Sequence, residues 1–113
     1  MKHKLFISSM VVITTMLFGT KIFAEEHVVA QNKKSFQLNG NKIETMTIKA
    51  GDTIRFKNED SFFHNIFSLS DLKTFDLGSF PKGQSKSVVF DKAGTAEVEC
   101  AIHPEMFMEV TIK

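Results

Sequence analysis

A period of two runs through most of the chain. In "ETMTIKA", Met46, Ile48 and Ala50 alternate with Thr45, Thr47 and Lys49; in "TIRFKNED", Ile54 and Phe56 alternate with Arg55 and Lys57. Side chains of an extended backbone point alternately to opposite faces, so such a run covers a core with one face and meets water with the other. "HNIFSLS", "QSKSVVFDK", "AEVECAI" and "MFMEVTIK" read as further strands. Turn chemistry separates them. Asn39-Gly40 is a hairpin signal, because both residues tolerate positive φ; Gly51-Asp52 and "KAGT" end other runs. "DLKTFDLGSFPKG" is less regular and reads as a long connection that accommodates a helical turn. No segment sustains a helical period for three turns. Short alternating runs with turns at roughly 8–12-residue spacing predict an all-β Greek-key sandwich of about seven to eight strands, here over residues 35–113.

Residues 1–24 have another character. Lys2, His3 and Lys4 precede a mostly apolar, uncharged run from Leu5 to Thr20, and "KIFA" then leads to Glu25 and Glu26. This is the order of a secretory signal peptide, with cleavage after Ala24. The run falls short of the roughly 20 residues of a comfortable bilayer span, so membrane attachment is expected only if the segment stays uncleaved. The protein is expected to be periplasmic or otherwise exported. Cleavage would leave 89 residues with 11 basic and 13 acidic side chains, a net charge of −2. That excludes the basic face a nucleic-acid partner needs. A chain of this size builds one domain with a modest core. Residues 25–34, "EEHVVAQNKK", are polar and read as a frayed lead-in to it.

Small exported domains often compensate for a modest core with disulfides, but this chain has one cysteine. Cys100 shares a strand face with Ala96 and Val98, opposite Glu97 and Glu99, so it points inward at the end of its strand. A lone inward thiol is a small apolar core residue, a link to another chain, or a metal ligand. Its surroundings favour the last. In "CAIHPEM", His103 follows three residues later, Pro104 fixes a tight turn, and Met106 follows. Thiolate, imidazole and a weak thioether suit copper, and a His₂Cys plane with a long axial methionine is the blue-copper arrangement. The second histidine must come from elsewhere. His27 lies in the polar lead-in and reads as a solvated surface residue; His64 begins an apolar strand and is the candidate.

These residues resemble a family, the cupredoxins, small type 1 copper electron carriers. "CAIHPEM" is similar to the short ligand loop of the amicyanin kind, and "AGDTIRFKNEDSFFHNIF" resembles the cupredoxin strand and loop ending in the first histidine ligand followed by asparagine. The resemblance spans about residues 43–113. It implies a Greek-key sandwich with copper near one end, strong ligands His64, Cys100 and His103, and Met106 as the axial donor. Met108 also fits patterns of the family, and parity does not separate the two; Met106 is nearer the loop, which leaves Met108 to core packing. Asn65 is implied as a support, its backbone N–H directed at the cysteine sulfur and its side chain tying the ligand loops together. Two features depart from the pattern: Glu99 stands where many members have an aromatic residue, and Phe62-Phe63 where amicyanin has a proline.

The expected function is single-electron shuttling between transient redox protein partners by a monomer with one Cu(I)/Cu(II) centre. Phe62, Phe63, Ile102 and Pro104 are the expected docking patch, with Phe80 a further candidate or a core residue. An alternative is a copper-binding protein for delivery or buffering; such a protein would more often carry exposed methionine- and histidine-rich tracts. A metal-free binding module is a third, disfavoured by the presence of the whole ligand set. A full ligand set leaves no open position for a small-molecule substrate, so an enzyme is not expected.

Overall fold

The computed structural model describes residues 23–113. The signal segment read at 1–24 therefore lies outside the described residues, apart from Phe23 and Ala24. The described residues form ten strands: β1 (Glu26–Asn32), β2 (Ser35–Leu38), β3 (Asn41–Lys42), β4 (Thr45–Ile48), β5 (Asp52–Asn58), β6 (His64–Ser70), β7 (Lys73–Phe80), β8 (Ser85–Phe90), β9 (Gly94–Cys100) and β10 (Phe107–Ile112). They make two five-stranded sheets, ordered β3-β2-β1-β5-β8 and β4-β10-β9-β6-β7. The chain crosses between the sheets at β3–β4, β4–β5, β5–β6, β7–β8 and β8–β9. β1 pairs parallel with β5, and β4 parallel with β10. The all-β sandwich expected from the period of two is present, with more strands than predicted.

The inward faces close on one another. Ile54 and Phe56 of β5, Phe90 of β8 and Phe36 of β2 meet Ile66, Val98, Met108 and Val110 from the facing sheet, all buried. Phe36 packs edge-on to Phe56 with centroids 6.2 Å apart. The Asn39-Gly40 pair adopts φ of 52° and 81° and joins β2 to β3, as its turn chemistry predicts.

Two segments differ from the sequence reading. Residues 25–34 are not a frayed lead-in, because β1 occupies most of them. Val29 and Gln31 face the core and are fully buried, and the Gln31 side chain satisfies its Nε2 on the Val29 carbonyl at 2.9 Å. A glutamine in a core position masks the alternation. The turn after β1 is equally disguised. Lys33 and Lys34 both hold φ of 56°, a left-handed region that non-glycine residues seldom enter. Asp60 compensates: its Oδ1 accepts the Lys33 N–H at 2.6 Å and its Oδ2 the Lys34 N–H at 3.1 Å.

The stretch read as a long connection is the edge strand β7. It pairs with β6, and the register shifts between Asn65 and Phe67. Gly78, at φ 72°, lies within the displaced stretch. The irregularity breaks the period of two, which is why the segment does not read as a strand. It also brings Phe80 opposite His64, and Phe80 is fully buried, hence core rather than patch.

β5 links the two ends of the sandwich. At one end Asn58 leads into the loop before His64. At the other, Asp52 is 1% exposed. Its Oδ1 accepts the Glu25 N–H at 2.9 Å, and its Oδ2 accepts the Lys49 N–H at 2.9 Å and lies 3.0 Å from His27 Nε2. His27 is thus a half-buried partner of an acid, not the solvated residue expected. The hydrogen bond with His27, aided by the Glu25 and Lys49 amides, holds the Asp52 carboxyl far below the usual carboxylate range, against the upward push of burial. A depressed acid stabilises the fold fully above its unfolded pKa, about 3.9, and loses that contribution as pH falls through the folded value. The stability difference between the wild type and Asp52→Asn should therefore be steady above about pH 4 and shrink below it. Urea unfolding of the metal-free proteins across this range measures it. A difference independent of pH would show that the charge of Asp52 is not what secures this end.

Candidate metal centre

β6 begins at His64 and β9 ends at Cys100, and the two strands are antiparallel neighbours with Ile66 opposite Cys100. This pairing brings together residues that lie 36 apart in sequence. The loop after Cys100 turns back at once. Met106 donates its N–H to the His103 carbonyl at 2.9 Å, and Cys100 donates its N–H to the Met106 carbonyl at 3.3 Å. Ala101 N–H bonds to the Asn65 carbonyl at 2.9 Å, joining this loop to the one around His64. The Asn65 N–H points at Cys100 Sγ at 3.4 Å.

Three donor atoms converge. Cys100 Sγ lies 3.6 Å from His64 Nδ1 and 3.7 Å from His103 Nδ1, and all three fall within 4.8 Å of one another. A metal with bonds of about 2.0 Å to nitrogen and 2.3 Å to sulfur, at angles between tetrahedral and trigonal, needs S···N separations of roughly 3.5–3.7 Å. The observed spacings meet that requirement. Cys100 is 1% exposed and His64 fully buried, while His103 is half-buried. The two imidazoles stand 4.9 Å apart, and Phe62 covers both, at 5.4 Å from His64 and 5.0 Å from His103.

Residues 24–113 match the family model described as copper-binding proteins of the plastocyanin/azurin family. The chain belongs to this family. Among solved structures, it is similar to a reduced variant of amicyanin with 25% identity and a TM-score of 0.66, covering 76% of this chain and 80% of that one. A Cu(I) amicyanin variant, 23% identical, superposes with a TM-score of 0.69 over 82% of this chain and 87% of that one. No curated protein matches the chain in sequence. The fold is cupredoxin-like, and copper is the metal that this thiolate and imidazole set suits.

Within this cupredoxin, Met106 and Met108 occupy different settings. Met106 is 1% exposed and bonds through its backbone to both Cys100 and His103, so it sits inside the ligand loop. Met108 is in β10 opposite Val98, fully buried among core residues. Met106→Leu should raise the reduction potential, because losing a weak donor disfavours Cu(II). Met108→Leu is nearly volume-conserving and should cost less than about 1.5 kcal/mol of stability with the potential unchanged. Voltammetry and thermal melts of the two variants make the comparison, and the reverse ranking would move the axial role to Met108.

Asn65 fills the backbone half of its expected part, its N–H directed at Cys100 Sγ, but not the side-chain half. Its Oδ1 is buried with no hydrogen-bond partner, and the tie between loops runs through its backbone N–H and carbonyl. Two residues that the sequence reading missed do the bracing. Asn58 donates its Nδ2 to the Phe62 carbonyl at 2.7 Å and the Phe80 carbonyl at 2.9 Å, while its Oδ1 accepts the Asp60 N–H at 2.8 Å. Asp60 Oδ2 lies 2.7 Å from His64 Nε2. The only available signal was the four-residue spacing of Asp60 from His64.

A carboxylate at Nε2 places the imidazole proton there and leaves the Nδ1 lone pair facing Cys100 Sγ. Burial pushes the His64 pKa down against the pull of Asp60, so the neutral ring a metal needs is favoured. Burial pushes Asp60 the other way, but hydrogen bonds from His64 and the Lys34 and Lys33 amides outweigh it and hold the acid below its ordinary value. The ring is therefore backed by a negative charge. Asp60→Asn should raise the reduction potential by about 40 mV, the one-electron equivalent of about 1 kcal/mol of lost charge-assisted bonding. A potential identical to wild type would reduce Asp60 to a brace for the lysine turn.

Proposed function

We propose that the protein carries single electrons between redox partners outside the cytoplasm and is not an enzyme. In this reading His64, Cys100 and His103 would hold the copper as strong ligands and Met106 would be the weaker fourth donor. Bound copper supplies one-electron chemistry by alternating between Cu(I) and Cu(II). The chain supplies fixed donors. His64 is held by Asp60 and the start of β6, Cys100 by the end of β9 and the Asn65 N–H, and His103 by the Met106 amide. Donors that need not move between the two oxidation states keep reorganisation small.

The observation that carries the reading is a preassembled donor set with one histidine at an apolar surface. Phe63 and Ile102 are 53% and 50% exposed, Pro104 is exposed, and half-buried Phe62 lies against both imidazoles. An apolar patch around a half-buried ligand suits brief encounters with a redox protein, which use small interfaces. The mature protein should bind one Cu(II), turn intensely blue, and give reversible one-electron voltammetry. A colourless complex or a stoichiometry well above one rejects the reading. Irreversible voltammetry with ready surrender of Cu(I) to a competing chelator would favour copper delivery instead.

A further inference from the structure

We propose that buried Asp52 is a binding site for the protein's own processed amino terminus. Cleavage between Ala24 and Glu25 converts the Glu25 amide into an α-ammonium that pairs with the Asp52 carboxylate. The inference concerns export processing and does not depend on what the copper does.

Glu25 is positioned for this before any cut. Its nitrogen lies 2.9 Å from Asp52 Oδ1, its carbonyl accepts the Thr53 N–H at 2.9 Å, and its carboxylate pairs with Lys49 Nζ at 2.7 Å. The residue is thus held on both sides of its Cα, and β1 begins at the next one. Hydrolysis of the Ala24–Glu25 bond consumes one water, leaves a carboxylate on Ala24 and frees an amine on Glu25. With a pKa of about 7.7–8.0, that amine takes up a proton near neutral pH. The nitrogen need not move. A hydrogen bond from a neutral amide becomes one with charge on both partners, which is shorter and stronger.

The geometry selects this bond among its neighbours. A cut one residue earlier leaves Glu25 an amide and puts the charge a residue farther away, about 3.8 Å along the chain. A cut one residue later removes Glu25, deprives Asp52 Oδ1 of its donor and takes away the partner of Lys49. Glu25, His27 and Asp52 also offer oxygen and nitrogen atoms within 4.8 Å of one another, a spacing open to a cation. However, both Asp52 oxygens already accept protein donors and Glu25 is paired with Lys49, so the cluster is closed. The clamp also reaches the copper end. β1 runs from Glu26 to the Lys33-Lys34 turn, whose amides bind Asp60.

The test compares copper-loaded protein beginning at Glu25 with protein beginning at Ala24, each in wild-type and Asp52→Asn backgrounds. The Glu25 form should melt about 4–8 °C higher than the Ala24 form, and Asp52→Asn should erase the difference. Acetylating the Glu25 amine keeps an N–H and removes the charge, so it should lower the melting temperature to that of the Ala24 form. This comparison serves even if Asp52→Asn fails to fold. Intact-mass measurement of the exported protein should show Glu25 as the first residue. Equal melting temperatures, a difference that survives Asp52→Asn, or export with another first residue would each overturn the proposal.

Discussion

Cys100→Ser should abolish the blue colour of the copper-loaded protein. The colour of such a centre comes from charge donated by a thiolate to Cu(II), and Cys100 is the only thiol in the chain. Serine is a hard donor that stays protonated near neutral pH, so it cannot replace the sulfur at the point where both imidazoles converge. Copper affinity should fall by more than about 100-fold, since even the loss of a supporting residue costs 10–100-fold. The fold should survive. Cys100 ends β9, and a serine hydroxyl there can accept the Asn65 N–H now directed at sulfur. The stability cost should stay within about 0.5–3 kcal/mol, the usual range for a point substitution. Visible spectra with thermal melts separate the two effects. If the variant stayed blue, the centre would lie elsewhere in the molecule.

His103→Gly should recover its colour when free imidazole is added, whereas His64→Gly should not. The contrast follows from burial. His103 is half-buried beside exposed Ile102 and Pro104, so deleting its side chain opens a hole that solvent and imidazole can enter. His64 is fully buried behind Phe62, with no such route. Its loss also leaves Asp60 without the imidazole at 2.7 Å while the carboxylate remains only 7% exposed. Removing the neutral ring's hydrogen bond to a buried carboxylate costs about 1.5–3 kcal/mol, a sizeable fraction of what a domain of this size has. Imidazole titration followed in the visible, with urea unfolding of both variants, measures each part. Rescue of His64→Gly alone would exchange the exposed and buried roles.

Local chemistry was legible in the sequence where it depends only on near neighbours. The inward direction of Cys100 follows from strand parity, because successive side chains must alternate. Asn39-Gly40 announces its hairpin because few residue pairs adopt two positive φ values in succession. The same logic failed where a neighbour elsewhere in the fold stabilises an unfavourable local choice. The Lys33-Lys34 turn has no glycine or asparagine at either of its positive-φ positions; it exists because the Asp60 carboxylate accepts both amides. Gln31 hid β1 because a polar residue stands at a core position, where its Nε2 bonds the Val29 carbonyl and its Oε1 is buried without a partner. The shifted register near Gly78 hid β7.

The class of fold and the kinds of donor available are written along the chain: alternating strands, one thiol, and a short loop carrying His103 and Met106 behind it. These follow from backbone stereochemistry and side-chain chemistry, which are properties of adjacent residues. Which donors meet, and which acids matter, was decided by tertiary structure. β6 beside β9 brings His64 to Cys100, and nothing in either segment encodes that pairing without the other. Asp52 and Asp60 look like any of the 13 acidic residues in the chain. They become fixed charges only because folding surrounds each with two backbone amides and a histidine, which replace the water that burial removes.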